Sequence, residues 1–456
     1  MNSKALGGHG MKGVVRDHCA VKLLVCLLLI LGFASSSHAA NRYVRAGASG
    51  AANGSDWTNA YPALPTTLVR GDTYYVAAGS YGSYSFRTAT SGTTLITVKK
   101  ATVADHGTSV GWSDAFASGQ AVFSPGVSFN SSFWVFDGVT GGGPGSWTTG
   151  HGFKVLNRNG VVMDFSGGNN ITVRHVEAQG NGGDGDGAFP SNDIVGINNG
   201  VSNVTISYSY LYDAGRTIMI VLGGGSNNIV LEYSYTGYFE STAGQHSELC
   251  SCGSQTQFSN LTFRYNVFTH AEGTGGLIMH GDGAFIYGNV FYQAPGDNWS
   301  HGNGLIGTWT SGTLTNAKVY NNTFIVSSGW TIFGPVFTPP NTGNEVRNNV
   351  FYGIGNNPLG LGTLFPVYSH NHYVDTSSPS GETAKSTATG VPFVNVTGLD
   401  FRLKAGTPAG MALGAPYDRD MFGTVRGSDG TWDRGAAEFG GTTMSGPNNP
   451  SNLTLN

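Results

Sequence analysis

Charge is scarce in this chain. Only 11% of its 456 residues are Asp, Glu, Lys or Arg, against roughly 25% in an average soluble domain. A nucleic-acid binder needs basic runs to neutralise phosphates, and the sequence has none. It also lacks the Ala, Leu, Glu and Lys excess of helical bundles and the heptads of coiled coils, which excludes all-α architectures. Four cysteines are too few for a disulfide scaffold of this length. No apolar run of membrane-spanning length follows residue 40. Glycine, by contrast, is abundant: 71 residues, dispersed among Val, Ile, Phe and Tyr, with 12% of the chain aromatic. That mixture excludes collagen-like and disordered classes and predicts a turn-rich β protein with a sizeable core.

The N-terminus reads as an export signal. Lys12, Arg16 and Lys22 form a basic stretch, Leu23 to Phe33 an apolar one too short to span a bilayer comfortably, and Ser37-His38-Ala39 a small-residue cleavage site. Cleavage after Ala39 predicts a secreted, mildly acidic protein. The boundaries expected are residues 1–39 for the signal, 40–375 for the main domain with an N-terminal cap, and 376–456 for a C-terminal segment packing back on it, with a tail. Cys19 and Cys26 leave with the signal. The remaining pair, Cys250 and Cys252, is expected to be two packed or free thiols, because residues two apart in an extended strand do not easily bring their sulfurs together.

The strongest signal is internal repetition. NITVRHVEAQ from Asn170, NVTISYSYLY from Asn203, NIVLEYSYTG from Asn228 and NLTFRYNVFT from Asn260 superimpose without gaps, and the segments from Phe285, Ala317 and Glu345 continue the series. Unequal spacing predicts a solenoid with loops of different length. One apolar column (Val173, Ile206, Leu231, Phe263, Ile286, Val319, Val346) alternates with polar neighbours, as in a strand. Three residues on comes a turn position that is Asn in four successive units (Asn266, Asn289, Asn322, Asn349), suited to an amide ladder. Two further on is a second apolar column running from Ala178 to Phe351. A third short strand completes each unit, at residues 194, 217, 247, 276, 304 and 331. The Asn-x-Ser/Thr triplets at Asn170, Asn203 and Asn260 are read as strand-initiating residues rather than glycan acceptors, and Tyr208, Tyr233 and Tyr265 as core.

Three short strands per coil with stacked side chains resembles the right-handed parallel β-helix of the pectate-lyase-like superfamily. The resemblance covers most of the chain after residue 40, and implies an all-β, single-stranded solenoid with an Asn ladder. It also implies a substrate groove along the third strand type and the loops before it. Ionisable residues crowd there: Asp184, Asp186 and Asp193; Asp213 and Arg216; His246 and Glu248; His270, Glu272 and His280; His301. His246 is the expected base, Arg216 the group that neutralises a uronate carboxylate, with Glu248 and His280 in support. Asp193, Asp213, His270, Glu272, Trp299, His301 and Trp309 are expected to contact sugar. Asp184 and Asp186 suit Ca²⁺, a hard cation, although the same Asp-Gly pairs serve as ordinary turns.

These residues predict a polysaccharide lyase acting as a monomer on an acidic glycan. A glycoside hydrolase is the alternative, since two carboxylates such as Asp193 and Glu248 can serve as acid and base. The polygalacturonase motif set is missing apart from Gly150-His151-Gly152, and no lysine falls in the cluster to act as base. A non-catalytic adhesin or glycan-binding β-helix is the alternative outside enzymes.

Overall fold

The computed structural model describes residues 1–2, 39–181, 192–239, 247–270, 275–297, 304–326, 331–355, 360–361 and 363–441. Residues 40–456 form one compact unit, a right-handed parallel β-helix. Successive coils contribute strands to three parallel sheets, of 13, 12 and 8 strands, that run along the axis. The first sheet runs from Asn41–Val44 to Val367–Ser369, the second from Gly79–Tyr81 to Ser386–Ala388, and the third from Tyr84–Phe86 to Ile306–Thr308. The only helical turn among the described residues is a 3₁₀ turn at Asp114–Phe116.

The two apolar columns predicted from sequence are inter-coil register pairs throughout. Val173 lies opposite Ile206, Ile206 opposite Leu231, Leu231 opposite Phe263, and so on to Val346. Ala178, Leu211, Thr236, Phe268, Phe291, Phe324 and Phe351 do the same in the second sheet. Phe268, Phe291, Phe324 and Phe351 stack at 4.8–5.0 Å between ring centroids. Coils repeat at about 4.8 Å, which suits ring stacking, so each coil buries its ring against the next.

The Asn ladder occupies the turn between the first and second sheets and is longer than the four residues seen in sequence. Each amide oxygen accepts the backbone N–H of the preceding coil's rung: Asn266 N to Asn289 Oδ1 is 2.9 Å, Asn289 N to Asn322 Oδ1 3.0 Å, and Asn322 N to Asn349 Oδ1 2.8 Å. Asn371 adds a further rung, and the Glu382 carboxylate ends the series by accepting from Asn371 N and Nδ2 at 2.9 and 2.8 Å. At the other end Ser234 and Ser209 substitute a hydroxyl for the amide.

Asn170, Asn203, Asn228 and Asn260 adopt left-handed φ of 52–56°, a conformation Asn tolerates better than other side-chain-bearing residues. They stand where strands of the first sheet begin, which gives the strand-initiating reading a conformational reason. Tyr208, Tyr233 and Tyr265 do stack, at 4.9 Å, but outside the coil rather than in its interior. Tyr265 belongs to an outer cluster with Tyr287, Tyr320, Phe401 and Met421. The C-terminal segment seats there: Tyr265 donates to Arg419 O at 3.3 Å, Gly435 N to Asn348 O at 2.7 Å, and Trp432 Nε1 to Asn321 Oδ1 at 3.2 Å.

Cys250 and Cys252 require a correction. They form a disulfide within Glu248–Cys252, with Cα atoms 5.4 Å apart, inside the range that a disulfide spans. Alternation turns both side chains into the coil, where they are fully buried opposite Met219 and Val221 on one side and Leu277 and Met279 on the other. The expectation of thiols failed because it took the strand as fully extended.

Gly150-His151-Gly152 is structural. His151 is 2% exposed. Burial pushes its pKa down to about 4 from 6.5. The unfolded chain therefore takes up the proton first, and stability that His151 allows at neutral pH is lost as pH falls from 6.5 through 4. His151→Phe removes that titration. Between pH 7 and 4.5 the wild type is expected to lose about 2 kcal/mol relative to this variant, measured by urea unfolding. Identical pH profiles for the two proteins would show that His151 is not buried neutral.

Candidate active site

Five of the described candidate residues border the connections from the second sheet to the third. These connections differ sharply in length, spanning residues 180–194, 215–218, 240–247, 270–274 and 293–305 in successive coils. The shortest carries Arg216. It sits between two longer ones.

The side chain of Arg216 is held from below. Its Nε donates to Asp193 Oδ1 at 2.9 Å and its Nη2 to Asp193 Oδ2, a bidentate pair. Asp193 is 4% exposed, whereas the Arg216 side chain is 32% exposed. The hydrogen bond to Asp193 is the main cause that raises the Arg216 pKa; burial opposes it, and Glu248 adds a smaller electrostatic pull. A guanidinium has five N–H donors, and this clamp engages two, leaving an oriented fork at the surface.

Glu248 begins the next strand of the third sheet and is 2% exposed. Backbone hydrogen bonds from Ile194 N to Thr217 O and from Ile218 N to Glu248 O put Asp193, Thr217 and Glu248 in one row across three coils. Two strand spacings of about 4.8 Å separate the acids' backbones by about 10 Å. Buried Asp193 and Glu248 thus stand with the partly exposed Arg216 at the upstream edge of the third sheet. The sequence grouped these three within one groove, but their pairing with one another came only from the structure.

Asp213 and His270 end strands of the second sheet on the same connections. Asp213 Oδ2 accepts from Gln179 Nε2 at 2.7 Å. His270 Nδ1 is 2.8 Å from Asp297 Oδ1, and its backbone N donates to Asp297 Oδ2 at 3.1 Å. Between them in register is Tyr238, which sequence reasoning missed. The signal was present, because Asp213, Tyr238 and His270 each stand two residues after a member of the second apolar column.

His280 and Trp309 lie elsewhere. Glu248 pairs with Gly275, and His280 is five residues further along that strand direction, about 16 Å at 3.3 Å per residue. His280 follows Met279 at the downstream edge of the third sheet, where burial lowers its pKa, and Trp309 follows Thr308 at the same edge. The structure therefore does not bring His280 together with Arg216 and Glu248. The reason is strand direction: proximity across coils follows register, and His280 is out of register with the other two.

His246, Glu272, Trp299, His301, Asp184 and Asp186 lie outside the described residues. Among the described residues no group of three or more His, Cys, Asp or Glu is placed to hold a metal ion, so the calcium expectation stands on Asp184 and Asp186 alone. No helix among the described residues is long and apolar enough to cross a membrane. A cleft of about 470 Å³ is lined by Tyr292, Gln293, Asp297, Tyr352, Val391 and Val396. It lies against the C-terminal segment rather than over the Arg216 cluster.

No protein-family profile matches the chain, and no curated protein sequence matches it. Among solved structures, it is similar to pectate lyase Pel9A at 14% sequence identity, with a TM-score of 0.47 over 89% of this chain and 98% of that one. It is also matched to the GH136 lacto-N-biosidase from Eubacterium ramulus at 10% identity, with a TM-score of 0.26 over 82% of this chain and 69% of that one.

Proposed function

We propose that the protein is a secreted carbohydrate-active enzyme, a lyase that cleaves an acidic polysaccharide by β-elimination. The observation that carries this reading is Arg216: a partly exposed guanidinium, fixed by a buried carboxylate, on the shortest connection of the candidate groove. Its remaining N–H groups suit bidentate capture of a uronate carboxylate. Neutralising that carboxylate acidifies the adjacent C–H. His246, two residues before Glu248, takes this proton as base; the C–H electron pair forms the new C=C bond as the C–O bond to the leaving sugar breaks, and a water molecule protonates the leaving oxygen. Asp184 and Asp186 would hold calcium, a hard cation, which would supply further positive charge for a substrate carboxylate.

A hydrolase is the second reading, favoured by one feature. Asp193 and Glu248 stand in one row on either side of Thr217, and a pair of carboxylates is what acid and base roles in glycoside hydrolysis require.

The test incubates the purified mature protein with polygalacturonate, alginate and neutral xylan, with calcium and with chelator. The expected result is unsaturated-uronate absorbance together with new reducing ends on an acidic polymer, lost in chelator. Reducing ends without absorbance would replace the lyase with the hydrolase. Binding without any product would leave a glycan-binding β-helix.

A further inference from the structure

Tyr238 is unusual on three counts. It is 39% exposed, its backbone is left-handed at φ 55°, a conformation bulky side chains rarely hold, and its ring is backed on one side. The His270 imidazole stacks on it at 4.0 Å and 15°. His270 is itself held by Asp297 through both its ring and its backbone, and Asp297 is held by Ala294 N at 2.9 Å. Tyr238 N donates to His270 O at 3.0 Å, which fixes the two residues in register.

The same left-handed position recurs in three successive coils: Asp213 at φ 56°, Tyr238 at 55° and His270 at 47°. Ala214 pairs with Phe239, so Asp213 precedes Tyr238 in the row. On its His270 side the tyrosine ring is covered; in the neighbouring coil on the other side Asp213 stands in register with it. Asp213 is oriented by Gln179 and lies three residues before Arg216. A preorganised aromatic face beside a carboxylate, next to a cationic group, is the arrangement that pyranose rings fit: C–H faces pack on the ring and hydroxyls donate to the carboxylate.

Resting on the polysaccharide reading above, we infer that Tyr238 is the stacking platform of a sugar-binding subsite adjoining Arg216, with Asp213 accepting the sugar's hydroxyl hydrogen bonds. His270 and Asp297 are positioning residues that hold the platform. The subsite binds one ring of the glycan chain in ground and transition state alike, so it contributes to KM rather than to kcat.

The experiment compares wild type, Tyr238→Asn and Tyr238→Phe by affinity electrophoresis in gels containing polygalacturonate, alginate or xylan, and by initial rates on whichever polymer is cleaved. Asn tolerates left-handed φ, so Y238N deletes the ring while keeping the backbone, and matching thermal unfolding of the three proteins checks this. Y238N is expected to weaken polymer binding and raise KM about tenfold with kcat within twofold, and Y238F to match wild type. Wild-type affinity in Y238N, or a loss as large in Y238F as in Y238N, would overturn the platform. Wild type that binds but does not cleave, with binding lost in Y238N, would remove the lyase reading and leave the subsite. Cleavage by wild type with unchanged binding in Y238N would do the reverse. No retention of any of the three polymers by wild type would end both.

Discussion

Arg216→Lys is expected to lower kcat/KM on an acidic polymer by about 10²–10³-fold, the usual cost of removing a preorganised donor to developing charge, with unfolding shifted little. Lysine keeps the positive charge over Asp193, so the buried acid is not left uncompensated. It loses the planar fork, and with it the ability to satisfy Asp193 and a substrate carboxylate together. Alanine is the poorer probe, because an unpaired Asp193 at 4% exposure would destabilise the coil by about 3–5 kcal/mol. Asp193→Asn separates orientation from charge: it loosens the clamp while leaving Arg216 cationic. A drop of about 10–100-fold is expected, as for a reacting group misplaced by about 1 Å. Initial rates and thermal melts on the three proteins decide the matter. If R216K retains activity within threefold, Arg216 is a structural ion pair and the neutralising role falls.

What sequence could and could not reveal follows from how a solenoid is built. Columns such as Val173 to Val346 were legible because each coil must present the same kind of side chain to its neighbours. Packing along the axis thus becomes repetition along the chain. The ladder was legible at Asn266, Asn289, Asn322 and Asn349 for the same reason, and its ends were not, since Ser209, Ser234 and Glu382 meet the same hydrogen-bonding need with different chemistry. The candidate site sits on connections of unequal length, where the register of one coil does not index the next. Hence Arg216 and Asp193, 23 residues apart, could be placed in one groove but not paired. Hence too His280 was grouped with Glu248, although five residues along the strand direction separate it from Glu248's partner. Tyr238 was legible in principle, two residues past the apolar column like Asp213 and His270, but tyrosine in a β protein is so often core that its type carried no warning.

The largest stability effect is expected at the middle of the ladder. Asn322 is fully buried and serves four groups: its Nδ2 donates to Ile286 O at 2.8 Å and Asn349 Oδ1 at 3.1 Å, and its Oδ1 accepts from Asn289 N and Nδ2 at 3.0 Å each. Asn322→Ala strips four hydrogen bonds from a packed turn: Asn289 N loses its amide acceptor, Ile286 O loses a donor, and Asn289 Nδ2 and Asn349 Oδ1 keep one partner each, Phe263 O and the backbone N of residue 322. At about 1 kcal/mol for each lost bond and about 1–3 kcal/mol for the N–H left unsatisfied, the loss should be about 4 kcal/mol, a large share of the roughly 5–15 kcal/mol that holds a typical domain together. Asn322→Ser is the informative partner, because the protein already uses serine as a shorter rung: Ser234 Oγ accepts from Ser209 N at 3.1 Å and donates to Glu232 O at 2.9 Å. N322S should therefore recover about half of the loss. Urea unfolding of the two variants reads this directly. A cost below about 1 kcal/mol for N322A, or no difference between alanine and serine, would mean that stacked phenylalanines rather than amide hydrogen bonds hold the coils in register.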